Sequence, residues 1–372
     1  MAAIFRSPLF NASETFVQTH ASSLRRYRPL VVGLERKGNV LPELEAHLLV
    51  ATGAERAALK LLGMADGLAR RLRPFAPRLI HAHFGTDGLL ALPLAEALGL
   101  PLATTLHGFE ISRSFDAMLL SGRLSWARYA IRKRRLQQGG DLFIAVSGAI
   151  RAKALAQGYP SERTVVHHNG IDLARFAAPA GGREAGLVLH VGRLVEKKGT
   201  RLLLDALAGV PEARLVIVGD GPLRPALERH SAARDIAERV RFLGAQPPDE
   251  VARWMGRAAL LAAPSVTARD GDSEGLPTVA IEAAAASLPA LVSDHSGLPE
   301  AVVDGRSGFV VPEGDVGALA ARLAEMVAAP DLAARMGAAA RAVAEDRFDA
   351  ARRAAALELL YDGLVEAGPR CG

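Results

Sequence analysis

Leu187-Val188-Leu189-His190-Val191-Gly192-Arg193-Leu194-Val195-Glu196-Lys197-Lys198-Gly199 reads as a buried strand that runs into a charged turn opened by a glycine. An unbroken apolar run of this kind suits a strand covered on both faces, which is the environment of a parallel sheet. Outward from it the pattern repeats. Downstream come strand-like runs at 214–218, 240–243, 260–263, 290–293 and 308–311; upstream lie 30–34, 79–84, 102–106, 142–146 and 164–167. Helical stretches such as 55–73 and 149–157 separate them, and from Val316 onward the pattern is helical, ending in 350–366. Strand and helix in alternation give βαβ units. The two series meet at Ala178-Pro179-Ala180-Gly181-Gly182, a turn-forming stretch that reads as a linker. An α/β protein with two Rossmann-like, doubly wound parallel sheets in series is expected. The boundaries fall at 1–172 and 173–345, with a C-terminal helix in 346–372 packing back toward the first domain.

A chain of 372 residues is long enough for two such cores. Its single cysteine, Cys371, excludes an intramolecular disulfide and makes a thiol metal cluster or Cys nucleophile a poor reading, and a reducing cytoplasm fits. Met1 to Phe10 carries Arg6 and Pro8 where a signal peptide needs an apolar run, so export is not indicated. The stretch 89–106 contains Glu96, Pro93 and Pro101, and reads as helix, turn and buried strand rather than as a membrane span. Charge divides unevenly. Residues 1–172 hold 22 Lys and Arg against 13 Asp and Glu, leaving 23 against 27 for the rest. Between Asp116 and Asp141 there is no acidic residue, while Arg128, Arg132 and Arg135 fall on one helical stripe flanked by Trp126, Tyr129 and Ile131. An anionic membrane surface suits that stripe, and a solvated helix face is the plainer alternative. A nucleic-acid partner is not expected, since aromatics are not interleaved with the basic residues.

Chemistry concentrates in two stretches of the second half. Gly192, Arg193 and Lys198 follow a strand, where ligands bind in open α/β sheets, and two cations there would neutralise a diphosphate leaving group. In Asp272-Ser273-Glu274-Gly275-Leu276-Pro277-Thr278-Val279-Ala280-Ile281-Glu282, Pro277 suits a first helical turn and Gly275 permits close approach of a ligand. Amides near Leu276 to Thr278 would then form an anion site, with Glu274 and Glu282 on either side of it to meet hydroxyls. A charge complementing the helix dipole would explain Glu274 as well. In the first half, Thr105-Leu106-His107-Gly108-Phe109-Glu110 sets His107 at a strand end. His81 and His83 share one face of a strand without a third metal ligand in view, which favours packing or acceptor contacts.

Taken together, Arg193 with Lys198, Gly219-Asp220-Gly221-Pro222, Glu274 with Glu282 and Asn169-Gly170-Ile171-Asp172 resemble the retaining glycosyltransferases of family 4 over nearly the whole chain. The resemblance implies the GT-B fold, two Rossmann-like domains facing a cleft, the first binding acceptor and the second a nucleotide sugar. It implies that Arg193 and Lys198 hold the donor diphosphate, that Glu282 meets the ribose, and that Glu274 with the backbone after it meets the transferred sugar. It also sets His107 beside the reacting carbon. One departure stands out: Phe10-Asn11-Ala12-Ser13-Glu14-Thr15-Phe16 replaces the glycine-rich loop of many relatives and is similar to a subset of exopolysaccharide glycosyltransferases. Ser13 either caps the next helix or, with Glu14, faces the diphosphate or acceptor. Asp270-Gly271-Asp272 matches a metal-binding Asp-x-Asp, but the resemblance implies metal-free stabilisation of the leaving group, so it reads as a sugar-binding or loop-ordering element.

The resulting expectation is transfer of a hexose from a UDP- or GDP-sugar, with retention, to a saccharide acceptor, lipid-linked, in cell-surface polysaccharide synthesis. No cofactor and no metal are expected. The enzyme would be cytoplasmic and peripheral on the inner face of the membrane. A sugar-nucleotide epimerase of related architecture is the alternative enzyme reading.

Overall fold

The computed structural model of the protein describes residues 1–9, 15–38, 41–176 and 182–370. Ser13, Glu14, most of the 178–182 linker and Cys371 therefore lie outside the described residues. The chain forms two compact units, Met1–Gly170 together with Ala350–Gly372, and Ile171–Asp349.

The first unit holds seven parallel strands: β1 (Ala2–Phe5), β2 (Pro29–Gly33), β3 (Leu48–Val50), β4 (Leu79–His83), β5 (Leu102–Leu106), β6 (Leu142–Ala145) and β7 (Thr164–Val166), in the order β3-β2-β1-β4-β5-β6-β7. Four helices carry or frame the site residues: α1 (Thr15–Ser23), α2 (Gly85–Leu98), α3 (Leu124–Gly139) and, in the second unit, α4 (Thr278–Ala285). The last helix, α5 (Ala350–Ala367), rejoins the first unit, where Ala354, Leu357, Tyr361 and Leu364 complete the core formed by Ile4, Val17, Val31 and Ile144. Every residue of α2 from Gly85 to Ala95 is buried; the run from Leu89 to Ala95 is apolar all round, and Asp87 is buried with a counter-charge on Arg6. It ends at Gly99 in the left-handed region, and β5 follows. The stretch 89–106 is thus a helix, a turn and a buried strand, and no helix among the described residues is long and apolar enough to cross a membrane.

The second unit holds six parallel strands: β8 (Leu187–Val191), β9 (Arg214–Val218), β10 (Val240–Gly244), β11 (Leu260–Ala263), β12 (Ala290–Ser293) and β13 (Gly308–Val311), in the order β10-β9-β8-β11-β12-β13. Both sheets have the doubly wound arrangement. In each, the connections leave in opposite directions from the first and fourth strands, and the crevice this opens at the strand ends is where such sheets bind ligands. That switch point lies between β1 and β4 in one unit and between β8 and β11 in the other.

The expected helix at 55–73 is interrupted. Gly53–Ala57 is α-helical, Ala58–Leu62 widens to a π-turn, Gly63 ends it at φ 73°, and a new helix starts at Asp66. A glycine free to turn left-handed terminates the run despite continuing helical periodicity.

Candidate active site

At the switch point of the second unit, the loop after β8 meets the loop after β11. Two glycines make the approach possible. A Cβ on Gly199 would lie 1.8 Å from the carbonyl oxygen of Pro264, and one on Gly219 would lie 1.9 Å from that of Gly192. Below the loop, His190 is fixed between the carbonyl of Ala262 (2.8 Å) and the Thr200 hydroxyl (3.0 Å), and burial lowers its pKa to about 4. Lys198 Nζ is thereby brought 2.9 Å from Glu274 Oε1, both side chains being largely buried.

Burial pushes the Glu274 carboxyl up, but the fields of Lys198 and Lys197 outweigh it, and the group sits below its ordinary value as a carboxylate. Its own loop is held from several sides. The Glu274 amide donates to His295 Nε2 (3.2 Å), His295 Nδ1 lies 2.8 Å from Glu313 Oε2, and the Ser296 hydroxyl donates to the Glu274 carbonyl (2.5 Å). Asp270 and Asp272 serve the same loop: Asp270 Oδ1 accepts from the Asp272 amide, and Asp272 pairs with Lys197 at 3.1 Å. Gly275, Leu276 and Pro277 are buried, and α4 begins at Thr278 with no side-chain cap. Among the described residues no acceptor takes the amides of Leu276 or Thr278, which leaves them for a ligand. Half-buried Glu282 is a turn further along α4; burial raises its carboxyl, opposed by a hydrogen bond from Thr278. Arg193, next to Gly192, is exposed and forms an ion pair with no described residue. The structure thus gathers Gly192, Lys198, Glu274, Gly275, Leu276, Pro277 and Thr278 at one switch point, with Arg193 and Glu282 at its edges.

The first unit has its own cluster at the corresponding place. His83 ends β4 and His107 follows β5, with His83 Nδ1 3.0 Å from His107 Nε2. Phe16 and Phe84 flank the His107 ring at centroid distances of 4.6 and 4.4 Å. Burial first, then Arg6 and His20, hold His107 well below the ordinary histidine range, so it is neutral. Three residues invisible as site residues in the sequence build this place. Arg6, at the end of β1, forms a buried pair with Asp87 at 2.5 Å and lies over the Phe84 ring. Asp87 Oδ2 also accepts from the Ser7 amide at 2.6 Å. Glu110, 1% exposed, accepts from the amides of His107 (2.7 Å), Gly108 (3.2 Å) and Gly85 (3.4 Å), and so pins the loop that carries His107. Arg6 and Asp87 have no local signal, since the strand that Arg6 follows is not legible in the sequence, and Glu110 has only its position three residues after the histidine. The fold also supplies a third histidine, His20 on α1, beside His81 and His83.

A model of the family described as Glycosyltransferase Family 4 matches residues 13–175, and one described as Glycosyl transferases group 1 matches residues 178–343. The amylovoran biosynthesis glycosyltransferase AmsK of Erwinia amylovora is 32% identical over 305 residues, which are 80% of this chain and 72% of that protein. The putative colanic acid biosynthesis glycosyltransferase WcaL of Salmonella typhimurium is 34% identical over 263 residues, 68% of this chain; the chain spans only 62% of that relative's length. Among solved structures, Anabaena Alr3699/HepE in complex with UDP and glucose superposes with a TM-score of 0.78 at 22% identity, covering 98% of this chain and 100% of that one. On these matches, and on the two doubly wound sheets, the chain belongs to the family 4 glycosyltransferases and has the GT-B fold.

Proposed function

We propose that the chain transfers a hexose, with retention, from a UDP- or GDP-sugar to a lipid-linked saccharide during exopolysaccharide synthesis. The observation that carries this reading is the Lys198–Glu274 pair at the second switch point, set beside the open amides of Leu276 and Thr278. A cation and an uncapped helix start offer a diphosphate its counter-charge, and a carboxylate held ionised offers a sugar hydroxyl an acceptor. Lys198 and Arg193 stabilise charge on the departing diphosphate, Glu282 meets the ribose, and Glu274 with the following backbone meets the sugar. The acceptor hydroxyl gives its proton to the departing phosphate oxygen as its oxygen bonds the anomeric carbon on the face the phosphate leaves. No protein base is needed, and in this reading no metal either. In this reading the first unit holds the acceptor, and His107 meets the transferred sugar. The roles of AmsK in amylovoran and of WcaL in colanic acid biosynthesis support the polysaccharide setting, and the UDP complex of HepE supports a nucleotide donor.

The same reading includes docking on an anionic membrane through the first unit. Leu61, Leu62, Leu120 and Leu124 are 70%, 72%, 81% and 66% exposed, on segments next to the exposed cations Arg123, Arg132 and Arg134. Apolar insertion beside cations suits such a surface. The test is a panel of UDP- and GDP-sugars offered with chelator present. One donor should raise the melting temperature selectively, and NMR of the product should show the donor's anomeric configuration kept. Inversion, or strict dependence on an added divalent ion, would overturn the mechanism.

A further inference from the structure

Behind His107 the first unit carries an unbroken line of hydrogen bonds. Thr105 Oγ1 is 2.6 Å from His81 Nε2, and His81 Nδ1 is 2.5 Å from the Tyr361 hydroxyl. That hydroxyl is 3.0 Å from His20 Nε2, and His20 Nδ1 is 2.8 Å from His83 Nε2. His83 Nδ1 then meets His107 Nε2 at 3.0 Å. The line crosses four elements: β4, β5, α1 and α5. Burial holds His81, His83 and His107 well below the ordinary histidine range and His20 down to about 3, so all four rings are neutral. A neutral imidazole has one N–H and one lone pair. His20, His83 and His107 are joined nitrogen to nitrogen and must agree with one another. His81 joins them through the Tyr361 hydroxyl, which is 0% exposed and has these two rings, His81 and His20, as its described partners, so the hydroxyl donates to one and accepts from the other. Every proton then sits on Nδ1, or every proton sits on Nε2.

The end of the line decides which. Thr105 is 4% exposed, and its hydroxyl has His81 as its one described partner. If that hydroxyl only accepted, its own O–H would be buried without an acceptor; the opposite direction leaves the unpaired donor on His107, which is only half-buried, so stranding the Thr105 O–H is the more costly arrangement. Thr105 therefore donates to His81 Nε2. His81 then donates from Nδ1 to Tyr361, Tyr361 to His20 Nε2, His20 from Nδ1 to His83 Nε2, and His83 from Nδ1 to His107 Nε2. His107 keeps its proton on Nδ1, a nitrogen that no described acceptor takes.

We propose that Thr105, His81, Tyr361, His20 and His83 are positioning residues that lock His107 as its Nδ1–H tautomer, a fixed neutral donor to an oxygen of the bound sugar. This rests on the reading that His107 meets the transferred sugar. Its Nε2 lone pair is already engaged, so His107 is no base, in keeping with an acceptor proton that leaves on the diphosphate. His20, His81 and His83 are also spaced to hold a metal ion, their ligand atoms lying within 4.8 Å of one another. All six of their ring nitrogens, however, are taken up by the line itself.

The experiment is nitrogen NMR of the full chain labelled at histidine, with each ring identified by its loss on substitution. Wild type should show His107 protonated on Nδ1 alone. Thr105→Val and Tyr361→Phe should each give mixed His107 tautomers and a fall in kcat of about five- to twentyfold, with KM for the donor changed less than about twofold. Thr105→Ser, which keeps the hydroxyl, should restore the single tautomer and the rate. His107 protonated on Nε2 in wild type, a tautomer unmoved by both Thr105→Val and Tyr361→Phe, or stoichiometric zinc bound by the purified protein would each overturn the proposal. Tautomers that respond as expected while turnover does not would uphold the relay and remove His107 from the sugar site.

Discussion

Lys198 and Glu274 depend on each other, because each is largely buried and each supplies the other's counter-charge. Lys198→Ala is expected to lower kcat/KM for transfer about ten- to a hundredfold, the worth of one charge-assisted contact of about 1.5 to 3 kcal/mol. It also leaves Glu274 with burial acting on it and less to oppose that, so its carboxyl rises and the fold loses stability at neutral pH. Replacing both residues, Lys198→Met with Glu274→Gln, removes the stranded charge. Calorimetry should find the double variant more stable than Lys198→Ala while transfer stays at least as low; a double variant that transfers normally would remove the pair from the chemistry. These residues were legible because each sits in a short local pattern, a strand end or a helix start. Arg6, Glu110, His20 and Tyr361 were not. Tyr361 reaches His81 across 280 positions of sequence, and nothing near either residue announces the other.

Among the elements, α3 departs most from its expected use. The stripe of Arg128, Arg132 and Arg135 is not three free cations. Arg128 donates to the carbonyls of Leu59 (3.4 Å) and Lys60 (2.6 Å) at the end of the π-turn, and Arg135 pairs with Glu96 at 2.9 Å. Tyr129 turns inward to meet Tyr159, and Trp126 stacks on Phe109. A cation on the last carbonyls of a helical turn is structural capping. Arg128→Ala should therefore lower the melting temperature without weakening vesicle binding, whereas Leu120→Ser with Leu124→Ser should weaken binding without affecting melting. Co-sedimentation with anionic vesicles at low and high salt, beside thermal melts, checks both; equal loss of binding in the two variants would contradict the assignment. Periodicity carried most strand positions correctly because parallel strands are apolar on both faces. It passed over β1 and β3, four and three residues long, where so few residues give the pattern little to act on, although other strands as short are legible.

At the scale of the molecule, buried neutral histidines make stability depend on pH. His20 falls to about 3, His167 and His190 to about 4, and burial is the main cause in each. The unfolded chain takes up these protons near pH 6.5 and the folded chain does not. Stability is therefore full above pH 6.5 and declines as pH falls toward 4, each such histidine adding a slope of about 1.4 kcal/mol per pH unit. Five of these lowered histidines, His20, His81, His83, His107 and His167, belong to the first unit, and His190 to the second. Calorimetry between pH 7 and 5 should show the first unit's transition falling further than the second's; equal shifts would contradict the assignment of these groups as buried and neutral. The return of α5 to the first unit has a consequence for synthesis. A ribosome makes the first unit's sheet early, yet the helix that closes its core emerges only after the whole of residues 171–349. At about 5 to 20 residues per second that is a wait of roughly 10 to 40 s. The unit translated first is thus the one finished last, and its unclosed apolar seam is the segment of the nascent chain for a chaperone to cover.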